Sequence, residues 1–129
     1  MKILVTGATG YIGRRLKHRL LDKGSYNIRL FVRNRLKVQV GNIDKIEIYE
    51  GTTFEIESLE KALISVDIAF YLIHSMTAST SEFDVLEANS ALHFNSYMNE
   101  IGVKQVIYLS GIINDSNLSK HLQSRSDVE

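Results

Sequence analysis

Gly7, Gly10 and Gly13 recur at every third position, directly after the run Lys2-Ile-Leu-Val-Thr6 and just before an apolar stripe of helical period. Glycines placed so can hold a phosphate. Gly7 permits a tight turn, Gly10 lets the backbone approach a pyrophosphate, and Gly13 lets a helix pack close to the strand. The helix N-terminus then offers amide donors and a partial positive charge. The plain alternative is a glycine-rich strand-to-helix turn with no ligand. The strand before and the helix after favour a dinucleotide. Thr6, Thr9, Tyr11 and Ile12 lie among these glycines and are candidate contacts with them.

The next chemistry-bearing stretch is Phe31-Val32-Arg33-Asn34-Arg35. An NAD binder usually places a carboxylate at the end of its second strand to hold the ribose hydroxyls. No carboxylate is present, and Arg33 stands twenty residues after Gly13. A guanidinium grips a phosphate bidentately. Arg33 therefore points to NADP(H), with NAD(H) left open. The competing reading makes Arg33 and Arg35 solvated loop charges. Arg14 and Arg15 oppose the dipole of the first helical turn. They either face the added phosphate or form a simple basic surface.

Leu72-Ile73-His74 closes a later apolar run. Ligands of open α/β sheets sit at the carboxyl ends of strands, near the point where strand order reverses. Leu72, Ile73 and His74 are thus expected beside a bound dinucleotide. The alternative for His74 is a polar loop histidine without a role. Asp67, which opens the same run, reads as a structural strand-end acceptor. His18 and His93 fall on helices, and the four histidines show no metal-ligand spacing, so no metal is expected.

These residues need elements to position them. Lys2 to Thr6 reads as a strand buried on both faces. Ile12, Leu16, Leu20 and Leu21 form one face of a helix that stops at Gly24, and Arg14, Arg15, Lys17, His18 and Arg19 form the other. Strands follow at Asn27 to Val32 and Lys45 to Tyr49, joined by a polar connection over residues 34–44. A short helix spans Phe54 to Ile64, with Ile56, Leu59 and Leu63 inward and Glu57, Glu60 and Lys61 outward. A fourth strand runs from Asp67 to Ile73. After a loop over 74–81, a long helix runs from Glu82 to Ile101, with Phe83, Leu86, Ala91, Phe94 and Met98 as core contacts. A fifth strand spans Val103 to Leu109, and Leu118 to Glu129 opens another helix. Strands alternating with helices imply an α/β fold. The expectation is a doubly wound parallel sheet, order 3-2-1-4-5, with helices on both faces.

Val5-Thr-Gly-Ala-Thr-Gly-Tyr-Ile-Gly13 resembles the TGxxGxxG fingerprint of the short-chain dehydrogenase/reductase superfamily. The remainder is similar to its extended and atypical branches, the NmrA-like and nucleotide-sugar-epimerase-like proteins. Phe70-Tyr-Leu-Ile-His-Ser-Met76 resembles a bacterial subgroup of NAD(P)-binding oxidoreductases or epimerases. The resemblance implies a Rossmann sheet and a dinucleotide cofactor. It also implies an adenine contact from an Asp after the third strand, where this chain has Gly51-Thr52. Thr52 or Thr53 is the hydroxyl available in its place.

Active members of that superfamily carry a Ser after strand five and then a Tyr-x-x-x-Lys pair. Ser110 matches the Ser. His121-Leu-Gln-Ser-Arg125 takes the spacing of the pair, with His121 for Tyr and Arg125 for Lys. Histidine can carry a proton near neutral pH, whereas arginine can only hold charge. The other reading makes this segment a solvated surface helix. Two functions follow: an oxidoreductase or epimerase acting through His121 on an unknown small molecule, or a module that senses NADP(H) without turnover, as NmrA-like proteins do.

Composition bounds the rest. The chain has 129 residues, 15 Lys and Arg, 15 Asp and Glu, and no formal net charge. That fits one domain over 1–129 and gives no bulk attraction to nucleic acid or to an acidic membrane. Absence of Cys removes disulfide scaffolds and thiol catalysis. The longest apolar run, Ala62 to Ile73, is broken by Ser65 and Asp67, so no membrane span is expected. With no signal peptide legible at the start, a cytoplasmic location is expected. Superfamily members are longer, so the expectation is the N-terminal part of a longer architecture. In the order 3-2-1-4-5, strand five, apolar and uncharged over Val106 to Leu109, is an edge unless a further strand follows, and is expected to pair with another copy or to be masked by the 111–129 tail, which predicts a homodimer or larger assembly.

Overall fold

The computed structural model describes residues 1–39, 44–73 and 81–109; for 81–88 the description is of the backbone alone. The elements run β1 (Lys2–Thr6), α1 (Tyr11–Lys23), β2 (Asn27–Val32), a 3-10 turn (Arg35–Lys37), β3 (Ile46–Glu50), α2 (Ile56–Leu63), β4 (Ile68–Tyr71), α3 (Ser81–Ile101) and β5 (Gln105–Tyr108). The sheet has five strands in the order β3-β2-β1-β4-β5. Every pair is parallel. This is the doubly wound Rossmann topology expected from the alternation of strands and helices.

The period of two along β1 divides the core. Ile3 and Val5 join Ile28, Leu30, Val32 and Ile46 on one face, where Leu16, Leu20 and Leu21 of α1 pack. Leu4 joins Phe31, Leu59, Leu63, Ala69, Tyr71, Phe94 and Met98 on the other, against α2 and α3. Successive strand side chains point to opposite faces, so one buried strand serves both layers.

Two expected inward residues lie elsewhere. Ile12 is 47% exposed and Ile56 is 48% exposed. Both sit in the first turn of a helix, before its axis settles against the sheet. At α1 the inner face passes through Gly13, whose missing side chain brings the backbone close, and so through Lys17 one turn later. Lys17, expected on the solvent face, is 2% exposed. The side chains of Phe83 and Leu86 lie outside the described residues, whereas Phe94 and Met98 are buried as expected.

The fourth strand is shorter than its apolar run. Its pairing with β5 ends at Tyr71↔Tyr108, and the Leu72 amide beyond it donates to the Thr6 hydroxyl at the end of β1. Asp67 serves as the structural acceptor expected of it. It takes the Lys2 amide at 2.8 Å and the Lys104 ammonium at 2.6 Å, where β1, β4 and β5 begin. The Lys104 hydrogen bond, then the Lys2 amide, hold its carboxyl below the ordinary aspartate value. Among the described residues no helix is long and apolar enough to cross a membrane.

Candidate functional site

Because the strands are all parallel, the segments after β1, β2, β3 and β4 share one edge of the sheet. Thr6 ends β1, and Gly7, Thr9, Gly10, Tyr11, Ile12 and Gly13 follow it; Arg33 follows β2, Thr52 follows β3, and Leu72 and Ile73 follow β4. Gly51 donates its amide to the Val32 carbonyl at 3.0 Å, which ties the ends of β2 and β3 together. His74, Ser110, His121 and Arg125 lie outside the described residues.

The glycine loop is shaped by contacts that exclude side chains. Gly7 adopts φ +63°, and a Cβ there would meet the Leu72 carbonyl oxygen at 2.6 Å. At Gly13 a Cβ would meet the Gly7 carbonyl oxygen at 2.3 Å. Gly10 differs. Its Cβ would find the Gly7 oxygen at 3.2 Å and nothing else within 4 Å among the described residues. The Gly10 amide donates to Gly7 at 3.0 Å, which closes the turn. Gly10 is the N-cap of α1, so no side chain caps the helix, and its first turn carries no acid. The amides of that turn are left for a ligand. A turn this tight, open at Gly10 and backed by uncapped amides, fits the pyrophosphate of a dinucleotide.

Each flanking residue has a definite place. Thr6 is fully buried, and its hydroxyl donates to the Phe70 carbonyl at 3.1 Å while accepting from the Leu72 amide at 3.0 Å. Its donor and an acceptor lone pair are thereby used inside the sheet, so Thr6 holds Leu72 against the glycine loop. Thr9, Leu72 and Ile73 are half-buried at the loop. Tyr11 is 65% exposed, with the Arg15 guanidinium 4.7 Å from its ring centroid. Arg33 is exposed. Of the two threonines after β3, Thr53 is buried and hydrogen-bonds the Ser90 hydroxyl. Thr52 is half-buried, with its amide donating to the Glu55 carboxylate at 3.2 Å.

Sequence reasoning missed two buried cations. Arg29 lies inside β2, beside Glu47 of β3 in register. Its Nε and Nη2 donate to one Glu47 oxygen at 2.8 and 2.7 Å. Its Nη1 donates to the carbonyls of Ala62 and Ile64 at 2.7 and 2.9 Å, closing the end of α2. Charged residues at matching places in adjacent apolar strands were the available signal. The other is Lys17, whose ammonium donates to the Gln39 carbonyl. Its signal was its place one turn after Gly13.

A five-stranded parallel sheet with a glycine cradle at its carboxyl edge defines a Rossmann domain that binds a dinucleotide. The sequence matches the family of NAD(P)H-binding proteins over residues 7–127. The chain belongs to that family. A curated relative, the (4-alkanoyl-5-oxo-2,5-dihydrofuran-3-yl)methyl phosphate reductase of Streptomyces griseus, is 34% identical over 80 residues, or 62% of this chain and 27% of the relative. A Rossmann-fold NAD(P)-binding family protein from Shigella flexneri superposes with a TM-score of 0.75 at 23% identity, over 98% of this chain and 59% of that one. Triphenylmethane reductase from Citrobacter sp., complexed with NADP(H), superposes with a TM-score of 0.79 at 22% identity, over 99% of this chain and 44% of that one. The chain spans about a quarter of the curated relative's length and about half that of these structures.

Proposed function

We propose that the chain is the cofactor-binding part of an NADP(H)-dependent reductase. The observation that carries this reading is the glycine loop closed against Leu72, with exposed Arg33 on the same sheet edge and no carboxylate in residues 33–43. Thr9, Gly10, Tyr11, Ile12 and Gly13 receive the pyrophosphate, Arg33 the ribose phosphate, Thr52 the adenine side, and Ile73 and His74 the nicotinamide side. Bound NADPH supplies a hydride. The chain's own part is to place the dinucleotide and, through His121, to hold a proton near the acceptor. Arg125 holds charge beside it, and Ser110 hydrogen-bonds the substrate oxygen. The Streptomyces relative is named a reductase, which supports this class.

One sequence feature favours a second reading. The chain has no Tyr-x-x-x-Lys pair. A sensor of NADP(H), binding without turnover, needs none. NADPH oxidation over a panel of carbonyl and enone substrates separates the two. Turnover lost in His121→Ala supports the reductase, and tight binding with no turnover supports the sensor. A cytoplasmic homodimer paired along β5 belongs to the same proposal. Val106 and Leu109 are 40% and 36% exposed there. Light scattering at micromolar concentration tests it, and a monomer overturns it.

A further inference from the structure

We propose that Lys17 is a positioning residue that sets the preference for a phosphorylated adenosine ribose, acting through the connection that carries Arg33, Arg35 and Lys37. The inference rests on the NADP(H) reading and goes beyond it, because Lys17 belongs to a helix face expected to be solvated.

Lys17 is 2% exposed, and the Gln39 carbonyl is its one hydrogen-bond partner among the described residues. No carboxylate pairs with it among those residues. Burial, and then the Arg14 charge one turn earlier, push its ammonium below the ordinary lysine range. An ammonium buried against a neutral carbonyl and near a second cation is unfavourable on stability grounds alone.

The segment it grips leaves the end of β2 and is held at three other points. The Asn34 side chain accepts the Leu36 amide at 2.9 Å, the Glu50 carboxylate accepts the Arg35 amide at 2.9 Å, and Val38 packs in the cluster of Leu16, Leu20 and Leu21. Residues 33–43 contain Arg33, Arg35 and Lys37 and no acid. An apolar side chain at 17 would extend the packing that Val38 already makes. What it would not supply is positive charge, together with a donor that holds the segment at Gln39. Among the described residues, Glu50 is the acid that hydrogen-bonds this segment, at the Arg35 amide. A ligand phosphate at Arg33 would then sit on a segment that Lys17 holds further along, at Gln39.

The test titrates 2′,5′-ADP and 5′-AMP into the chain and into Lys17→Met, Lys17→Arg and Arg33→Ala, with thermal melts in parallel. The unaltered chain is expected to bind 2′,5′-ADP at least about tenfold more tightly than 5′-AMP. Lys17→Met should lose most of that ratio through 2′,5′-ADP alone, while melting no lower than the unaltered chain. Lys17→Arg should keep much of the ratio. If Lys17→Met does not fold, Lys17→Gln, which keeps a donor without the charge, gives the same reading. An unchanged ratio in the neutral variants, or equal loss of both probes, overturns the inference. No discrimination by the unaltered chain overturns the NADP(H) reading and this inference with it. Loss of the ratio in Arg33→Ala but not in the Lys17 variants leaves the NADP(H) reading and removes the inference.

Discussion

Gly7 and Leu72 stand so close that a β-carbon on Gly7 would lie 2.6 Å from the Leu72 carbonyl oxygen. The contact joins the first two strands to meet at the switch point, β1 and β4. It places the glycine loop where the sheet's carboxyl edge opens. The chain therefore gives this junction to backbone atoms, which is what a ligand approaching through amides requires.

The three glycines should separate into two kinds of variant. Gly13→Ala puts a Cβ 2.3 Å from a carbonyl oxygen and should cost about 1–3 kcal/mol through overpacking. Gly10→Val meets little of the protein itself, so it should fold while losing both NADPH and NADH. Urea denaturation alongside cofactor titration checks the contrast. A folded Gly10→Val with full affinity would place the phosphate elsewhere.

Arg33→Ala should weaken NADPH and spare NADH. A charge-assisted contact contributes about 1.5–3 kcal/mol, so the loss in affinity should be at least about tenfold. Calorimetric titration with each cofactor reads it directly. Equal affinities of the unaltered chain for the two would remove the case for Arg33.

The sheet was legible because its strands are apolar or alternating runs near Gly24, Gly51 and Gly102, and because parallel strands need helices between them. The cradle was legible because Gly7, Gly10 and Gly13 each answer a separate spatial demand. Lys17 and Arg29 were not, since burial of a charge depends on partners that are remote in sequence: Gln39 for one, Glu47 and the end of α2 for the other. The helical period alone assigns Lys17 to solvent. Thr6 was legible as the end of β1 but not as a bridge, because Leu72 is its partner across 66 positions.

Arg29→Ala should be among the most destabilising single changes. It leaves Glu47 without its guanidinium and the last carbonyls of α2 without donors. Each of those carbonyls left unsatisfied costs about 1–3 kcal/mol. Because the Glu47 side chain is 46% exposed, Glu47→Gln should cost less, about 1 kcal/mol. Chemical denaturation of the two variants checks the order.

The same pair should impose a pH dependence. Burial raises the Glu47 carboxyl, but hydrogen bonds and charge from Arg29, with Lys2, outweigh it and hold the folded value below the ordinary 4.5. A depressed folded value means that the unfolded chain takes up the proton first. The contribution is therefore complete above about pH 4.5 and is lost as pH falls through the lower folded value. Melts from pH 7 to pH 3 should show a shallower acid loss in Glu47→Gln. Identical profiles would show that the pair does not titrate with folding.

Thr6→Val tests whether the bridge to Leu72 serves the site as well as the sheet. Valine keeps the shape and removes the hydroxyl, so the Leu72 amide loses its acceptor. A buried unsatisfied donor costs about 1–3 kcal/mol. Thr6→Ser keeps the bridge and removes one methyl, a loss of about 0.8 kcal/mol. Stability should therefore rank native, then serine, then valine. Binding should follow a different rule. Leu72 backs Gly7, which shapes the pyrophosphate turn shared by both cofactors. Thr6→Val should weaken NADPH and NADH by similar factors, unlike Arg33→Ala, which acts on NADPH alone. Thr6→Ser should bind both normally. A Thr6→Val protein that is less stable but binds both cofactors as tightly as the native chain would confine the bridge to the sheet.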